Sequence, residues 1–215
     1  MVPLLALLTF IILAFISYFM HRKSKQVFVK NDFLSLRQVE HMLPEGVFLQ
    51  SSFTWSKILD TGNLAVGIQP MLMGLIGEAD EIEVLNQNDH VKKGDTLVTI
   101  RKGQKVLKVK SPIAGSIADL NSLALDESNW KSISKHWLFC IKPENMGSEV
   151  KNWFVAEKSG DWINKRYQQI KNFLIQSMPQ NQIGMTMADG GDIPVGILSQ
   201  FDEKTWGTFV KQFIS

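Results

Sequence analysis

The chain has one cysteine, Cys140, in 215 residues, so no intrachain disulfide can form and a reducing compartment is permitted. Cys140 lies in the apolar run Trp137 to Ile141 and reads as a buried structural thiol, not a reactive one. Histidines are few: His21, His41, His90 and His136 are scattered, without i, i+4 pairing or a neighbouring cysteine, and offer no metal-ligand spacing. An excess of charge of one sign is missing too. The 23 Lys and Arg against 21 Asp and Glu leave a formal net charge of +2, and there is no phosphate-binding glycine loop, which argues against nucleic acid as a partner. No serine stands in a nucleophile-elbow context and Cys140 is mid-strand, so no catalytic constellation is legible and the chain reads as a non-enzyme. Asp189-Gly190-Gly191-Asp192 offers calcium-type oxygens without the ligand spacing of an EF-hand loop, and reads as a turn.

What the chain does have begins at its N-terminus. Val2 to Met20 is uncharged and dominated by Leu, Ile, Phe and Ala, which supplies the roughly 20 apolar residues a helix needs to cross a hydrocarbon core. A cleaved signal peptide would need a basic n-region and a small-x-small site. This segment has neither and ends in Tyr18-Phe19-Met20, so it reads as an anchor. His21, Arg22, Lys23 and Lys25 follow at once. The positive-inside rule then leaves the short N-terminus outside and the rest of the chain cytoplasmic, as in a single-pass protein of the inner (cytoplasmic) membrane.

Organisation follows from the change in period. Residues 1–25 form the anchor and its basic flank, and 26–44 a connector of mixed pattern. Between 45 and 146 the period is short: Val47 to Leu49, Phe53 to Trp55, Leu64 to Ile68, Ile82 to Leu85, Ser116 to Leu120 and Trp137 to Ile141 read as strands between glycine-bearing turns. Gln69 to Ile76 is a short helix opened by Pro70 and closed by Gly77. From 147 to 215 the pattern is helical. A short helix is expected over Glu149 to Glu157 and an amphipathic one over Gly160 to Gln176, ended by Pro179. Gly184 to Pro194 is loop-like, and Asp202 caps a last helix with Trp206, Phe209, Val210 and Phe213 on one side. The aromatic face of Trp162, Tyr167 and Phe173 with those residues reads as a packing seam. Met71, Met73, Met185 and Met187 read as adaptable packing. The expected class is therefore mainly β, a small barrel or sandwich with a transmembrane helix before it and a helical extension after it.

The most informative stretch is Val91 to Gly115, two short strands around a tight turn at Lys102-Gly103-Gln104-Lys105. Lys93-Gly94-Asp95 precedes this hairpin and Ser111-Pro112 follows it. Together with Phe53-Thr54-Trp55, Val66-Gly67-Ile68, Leu75-Ile76-Gly77, Ser111 to Ile117, Asn121 and Trp137-Leu138 before Ile141-Lys142-Pro143, the order resembles the H protein of the glycine cleavage system over about Val39 to Asn145. The resemblance implies a barrel-sandwich hybrid of the lipoyl/biotinyl type, built from two small sheets. In that family the lipoyl lysine stands eight residues before the proline of the SP turn, with a Glu three positions earlier and apolar residues two and five positions later. Counted from Pro112, the resemblance puts Gln104 at the acceptor position and Arg101 at the acidic one, with Val106 and Val109 on the apolar positions. A glutamine amide cannot be acylated.

Two neighbouring lysines, Lys102 and Lys105, flank the apex. Lys105 would become the acceptor if the turn shifted by one residue, but such a slip exchanges the two faces of the strand beyond it unless a bulge absorbs it. Arg101, Lys102, Lys105, Lys108 and Lys110, with Gln104 among them, make a basic tip that would suit an acidic partner or anionic headgroups. Against that stands a solvated strand face that blunts a sheet edge, with Glu78, Asp80, Glu81, Glu83 and Asp89 as an acidic counterpart. The first expectation is thus a membrane-anchored, non-lipoylated H protein-like domain with no cofactor, serving as a non-catalytic scaffold or interaction subunit. The alternative is a lipoyl carrier of the glycine cleavage type with lipoate on Lys105. A membrane-fusion adaptor of an export system comes third, because such adaptors insert a long coiled-coil hairpin where this chain has only a turn.

Overall fold

The computed structural model describes residues 33–126, 129–153, 156–178 and 191–214. The expected anchor at 2–20, its basic flank and the first part of the connector lie outside the described residues, as do Pro179, Gly184, Met185, Met187 and Asp189-Gly190. Among the described residues no helix is long and apolar enough to cross a membrane.

The end of the connector is ordered as a strand and a helix. Strand β1 (Phe33–Leu34) runs into helix α1 (Leu36–Met42), which Ser35 and Gln38 open with a reciprocal capping box. Strands β2 (Phe48–Leu49), β3 (Thr54–Ile58) and β4 (Leu64–Ile68) follow as an antiparallel meander. All five residues of β4 are buried. That is why Leu-Ala-Val-Gly-Ile shows no polar alternation: both faces of the strand are covered. Helix α2 (Pro70–Ile76) starts at its proline and stops at Gly77, as the sequence predicts.

Strands β5 (Glu81–Val84), β6 (His90–Val91), β7 (Thr96–Lys102), β8 (Lys105–Lys110) and β9 (Gly115–Leu120) come next. Two helices the sequence reading did not anticipate, α3 (Ser122–Asp126) and α4 (Trp130–Lys135), precede β10 (Phe139–Pro143). One antiparallel sheet has the order β2-β3-β4-β10-β9-β6 and a second the order β5-β7-β8, so the architecture is the expected mainly-β sandwich, with sheets of unequal size. Their apolar residues belong to one core: Leu64, Val66 and Ile68 meet Ile100, Leu107, Val109, Ile117, Phe139 and Ile141. Cys140 is buried in β10, and burial raises its thiol pKa, as befits an inert structural residue.

The last strand sits two residues later than expected because Trp137 and Leu138 belong to the approach, where the Leu138 N–H donates to Val66 O. The helix expected over Glu149 to Glu157 is also corrected. Helix α5 (Met146–Glu149) passes into a 3-10 turn at Val150–Asn152, and helix α6 (Ala156–Ser177) begins several residues before Gly160. Strand β11 (Ile193–Pro194), helix α7 (Ile197–Gln200) and helix α8 (Glu203–Phe209) complete the chain, ending in a π-helical turn at Val210–Ile214. Asp202 caps α8 by accepting from the Thr205 N–H.

The extension does not stand apart from the sheets. Strand β11 pairs with β1, and the Tyr167 hydroxyl on α6 donates to Leu34 O and accepts from the Ile193 N–H, tying these two strands to α6. Burial pushes that phenol up to about 12. Phe173, Phe209 and Phe213 form the expected aromatic seam, with ring centroids 5.0–5.8 Å apart. Met71 and Met73 are fully buried.

Candidate functional site at the hairpin tip

Two sequence signatures turn out to be one structural joint. The Gly94 N–H donates to Ser111 O and the Ser111 N–H donates to Asp95 O, so the Lys-Gly-Asp turn and the Ser-Pro turn clamp the base of the β7–β8 hairpin. The glycine that ends Ser-Pro-Ile-Ala-Gly has a steric cause. A Cβ on Gly115 would lie 2.3 Å from Lys142 O of the paired strand, which only an absent side chain tolerates.

From that base the hairpin rises to a two-residue loop, with Lys102 paired to Lys105 and Gly103-Gln104 between them. Gly103 has φ 58 and Gln104 an ordinary negative φ, the pattern of a type II′ turn, which matches the twist of the flanking strands. Gln104 is exposed at the apex. In β8 the inward residues are Leu107 and Val109, both buried, while Val106 is 36% exposed. Val106 and Val109 therefore do not share a face, as a period of two requires, and Val106 lies on the outer side opposite Arg101.

The basic residues around the apex meet different fates. Arg101 faces Glu81 in the β5–β7 register and reaches Glu81 at 3.3 Å and Glu83 at 3.2 Å. The Lys102 amine contacts Asp80 Oδ1 at 2.7 Å, and Asp80 Oδ2 accepts the Gly103 N–H at 2.7 Å. Those two hydrogen bonds, the lysine's first, hold the Asp80 carboxyl below its usual value. Arg101 and Lys102 are thus matched by the acidic strand that the sequence set against them. Water and salt screen such exposed pairs, so they orient the tip more than they stabilise it. Lys110 reaches Gly94 O at 3.3 Å, and Lys108 is exposed.

Lys105 is covered. Its amine donates to Ser199 O of α7 and lies 5.8 Å from the Trp206 ring centroid, and the Trp206 indole Nε1–H donates to Val106 O at 3.0 Å. Trp206 is 4% exposed. The C-terminal segment is held in turn by the Ser199 hydroxyl donating to Ile76 O and the Gly196 N–H donating to Gly74 O. Sequence reasoning missed Ser199 and Trp206 at this site. Trp206 was legible only as one member of an apolar helix face, and nothing in the sequence marks its indole N–H as a lid on a strand about 100 residues earlier.

A model of the glycine cleavage H-protein matches residues 48–166, more than half of the chain. The chain belongs to that family. The H-protein resemblance drawn from the clamped turns and the Thr-Trp and Trp-Leu flanks is thereby established at family level. Among curated relatives, the probable glycine cleavage system H protein of Thermococcus gammatolerans is 28% identical over 126 residues, covering 58% of this chain and 94% of that protein. The one from Pyrococcus horikoshii is 25% identical over the same coverage, and the H protein of Xanthomonas oryzae pv. oryzae is 24% identical over 103 residues, 46% of this chain and 79% of its own. The crystal structure of the glycine cleavage system H protein from Mycobacterium marinum aligns with a TM-score of 0.46 at 17% identity, covering 56% of this chain and 98% of that one. The family match ends within α6, so α7, α8 and the lid they form over Lys105 lie beyond it.

Proposed function

We propose that this chain is an H-protein-family domain that has given up carrying a group on its hairpin and acts as a non-catalytic interaction subunit, held at the membrane by residues 2–20 with its folded part in the cytoplasm. The observation that carries this reading is the state of the apex. A glutamine stands exposed where the family resemblance calls for the acylated lysine, and the neighbouring lysine is engaged by Ser199 and Trp206. A swinging arm needs an amine that a ligase can reach and that then moves freely, and a backbone carbonyl under an indole offers neither. The exposed Gln104 and Lys108, with Arg101 and Lys102 braced by Glu81, Glu83 and Asp80, leave a polar tip better suited to docking on a partner. The anchor rests on the uncharged Val2 to Met20 stretch and the basic residues after it.

A second reading keeps the carrier function. The matched relatives are named as glycine cleavage system H proteins, which supports a carrier role at least as well as a scaffold, and Lys105 is the acceptor we assign to that role. That reading requires α7 and α8 to leave the hairpin before modification. Intact-mass and peptide-mass measurement of protein purified from its own cells separates the two. An unmodified chain is expected, and a lipoyl increment on Lys105 would replace the scaffold with the carrier.

A further inference from the structure

A cavity of about 290 Å³ lies at the clamped base of the hairpin, away from the tip. Lys93 and Lys110 come to it from the two clamped turns, Ser51 and Ser52 from the β2–β3 loop, and Arg166 and Gln212 from the C-terminal extension. Among the described residues no Asp or Glu lines it. Lys93 is neutralised by Glu149 nearby, but Arg166 and Lys110 have no carboxylate partner among the described residues.

Arg166 is the unusual member. Its guanidinium lies 5.1 Å from the ring centroids of both Phe53 and Phe213, and Nη2 donates to Phe213 O at 2.8 Å. Its Nε is buried without any acceptor. That buried Nε does not open onto the cavity, but the half-buried residue contributes to its lining, Nη2 also reaches Ser51 O at 3.5 Å, and a guanidinium charge without a carboxylate beside it favours an anion. Burial lowers the Arg166 pKa, the same imbalance seen from the titration side. Phe53 beneath it adopts φ 60, a left-handed conformation that a bulky residue rarely tolerates. That loop is held by Gln69, whose N–H donates to Phe53 O and whose amide donates to Gln50 O and Thr54 O. Those bonds fix the loop that brings Ser51 to the cavity.

We propose that this cavity binds a small oxyanion, a carboxylate or phosphate group, held by Arg166 and Lys110 with hydroxyl and amide donors from Ser51 and Gln212. The assignment is independent of whether the hairpin carries lipoate.

The test is titration of the full-length chain in non-ionic detergent with sodium phosphate and, separately, sodium acetate, each at constant ionic strength balanced with chloride. Binding is followed by tryptophan fluorescence, for which Trp153 on the cavity wall is a reporter. Saturable binding of at least one anion is expected, and the one that saturates names the ligand class. Arg166→Gln should abolish it. Lys110→Gln should weaken it about tenfold, the loss of one charge-assisted hydrogen bond. Lys110 makes one long contact, so this variant keeps the fold even if Arg166→Gln does not. Lys108→Gln, two residues along the same strand face but outside the cavity, should bind as the parent does. No saturation with either anion, or equal weakening by Lys108→Gln and Lys110→Gln, overturns the site.

Discussion

Trp206 decides whether the hairpin is covered, and two substitutions separate its contributions. Trp206→Phe keeps most of the buried ring but removes the hydrogen bond to Val106 O, at a cost of about 1 kcal/mol. Trp206→Ala empties a site that is 96% buried, and the loss of an aromatic from a packed position costs about 3–5 kcal/mol. That is a large share of a typical domain's stability, so the Phe variant is the one that must stay folded. Urea unfolding of the full chain in non-ionic detergent measures both costs. A second readout addresses the lid itself: brief labelling with an amine-reactive reagent, quantified by peptide mass. In the parent, Lys105 should label more slowly than exposed Lys108. In the Trp206→Ala variant its rate should rise towards that of Lys108, while Lys108 itself is unchanged. If Trp206→Ala costs less than about 1 kcal/mol, or if Lys105 labels as fast as Lys108 in the parent, the C-terminal segment does not close the site and the argument against Lys105 as an acceptor fails.

Gly115→Ala should destabilise by about 1–3 kcal/mol, because its Cβ meets the Lys142 carbonyl, which belongs to the backbone of a paired strand and cannot swing away; a urea midpoint equal to the parent's would show that the two strands can separate freely. Asp80 has a folded-state pKa below its ordinary value, so its contribution is fully present above about pH 4 and is lost as pH falls through the lowered value. The stability gap between the parent and Asp80→Asn should therefore be constant near neutrality and close in acid; a gap that persists unchanged to pH 2 would mean that Asp80 acts through packing and not through its charge.

The degree to which the site could be read in advance follows from which interactions are local. The II′ turn at Gly103-Gln104, the proline start and glycine stop of α2, the Asp202 cap and the fully apolar β4 are each encoded within a few residues, and each stands where its signal lies. The miscounted strand at Trp137 and the unforeseen α3 and α4 lie where an apolar residue serves an approach or a short helix. Periodicity over five or six residues cannot separate those cases. The basic tip shows the same division. Its lysines are plain in the sequence, but whether they are free depends on cross-strand register, which brings Glu81 opposite Arg101.

The sequence by itself determined the family, the clamped turns at the base of the hairpin and the glutamine at its apex, because motif order and turn chemistry are properties of neighbouring residues. Only the tertiary structure decided that Lys105 lies under Ser199 and Trp206, that Val106 faces outward, and that Arg166 of the extension meets Lys110 across a cavity. The contacts over the hairpin join segments 94 and 100 residues apart, and the free energy that holds them comes from burial and hydrogen bonds formed only once both segments share a core.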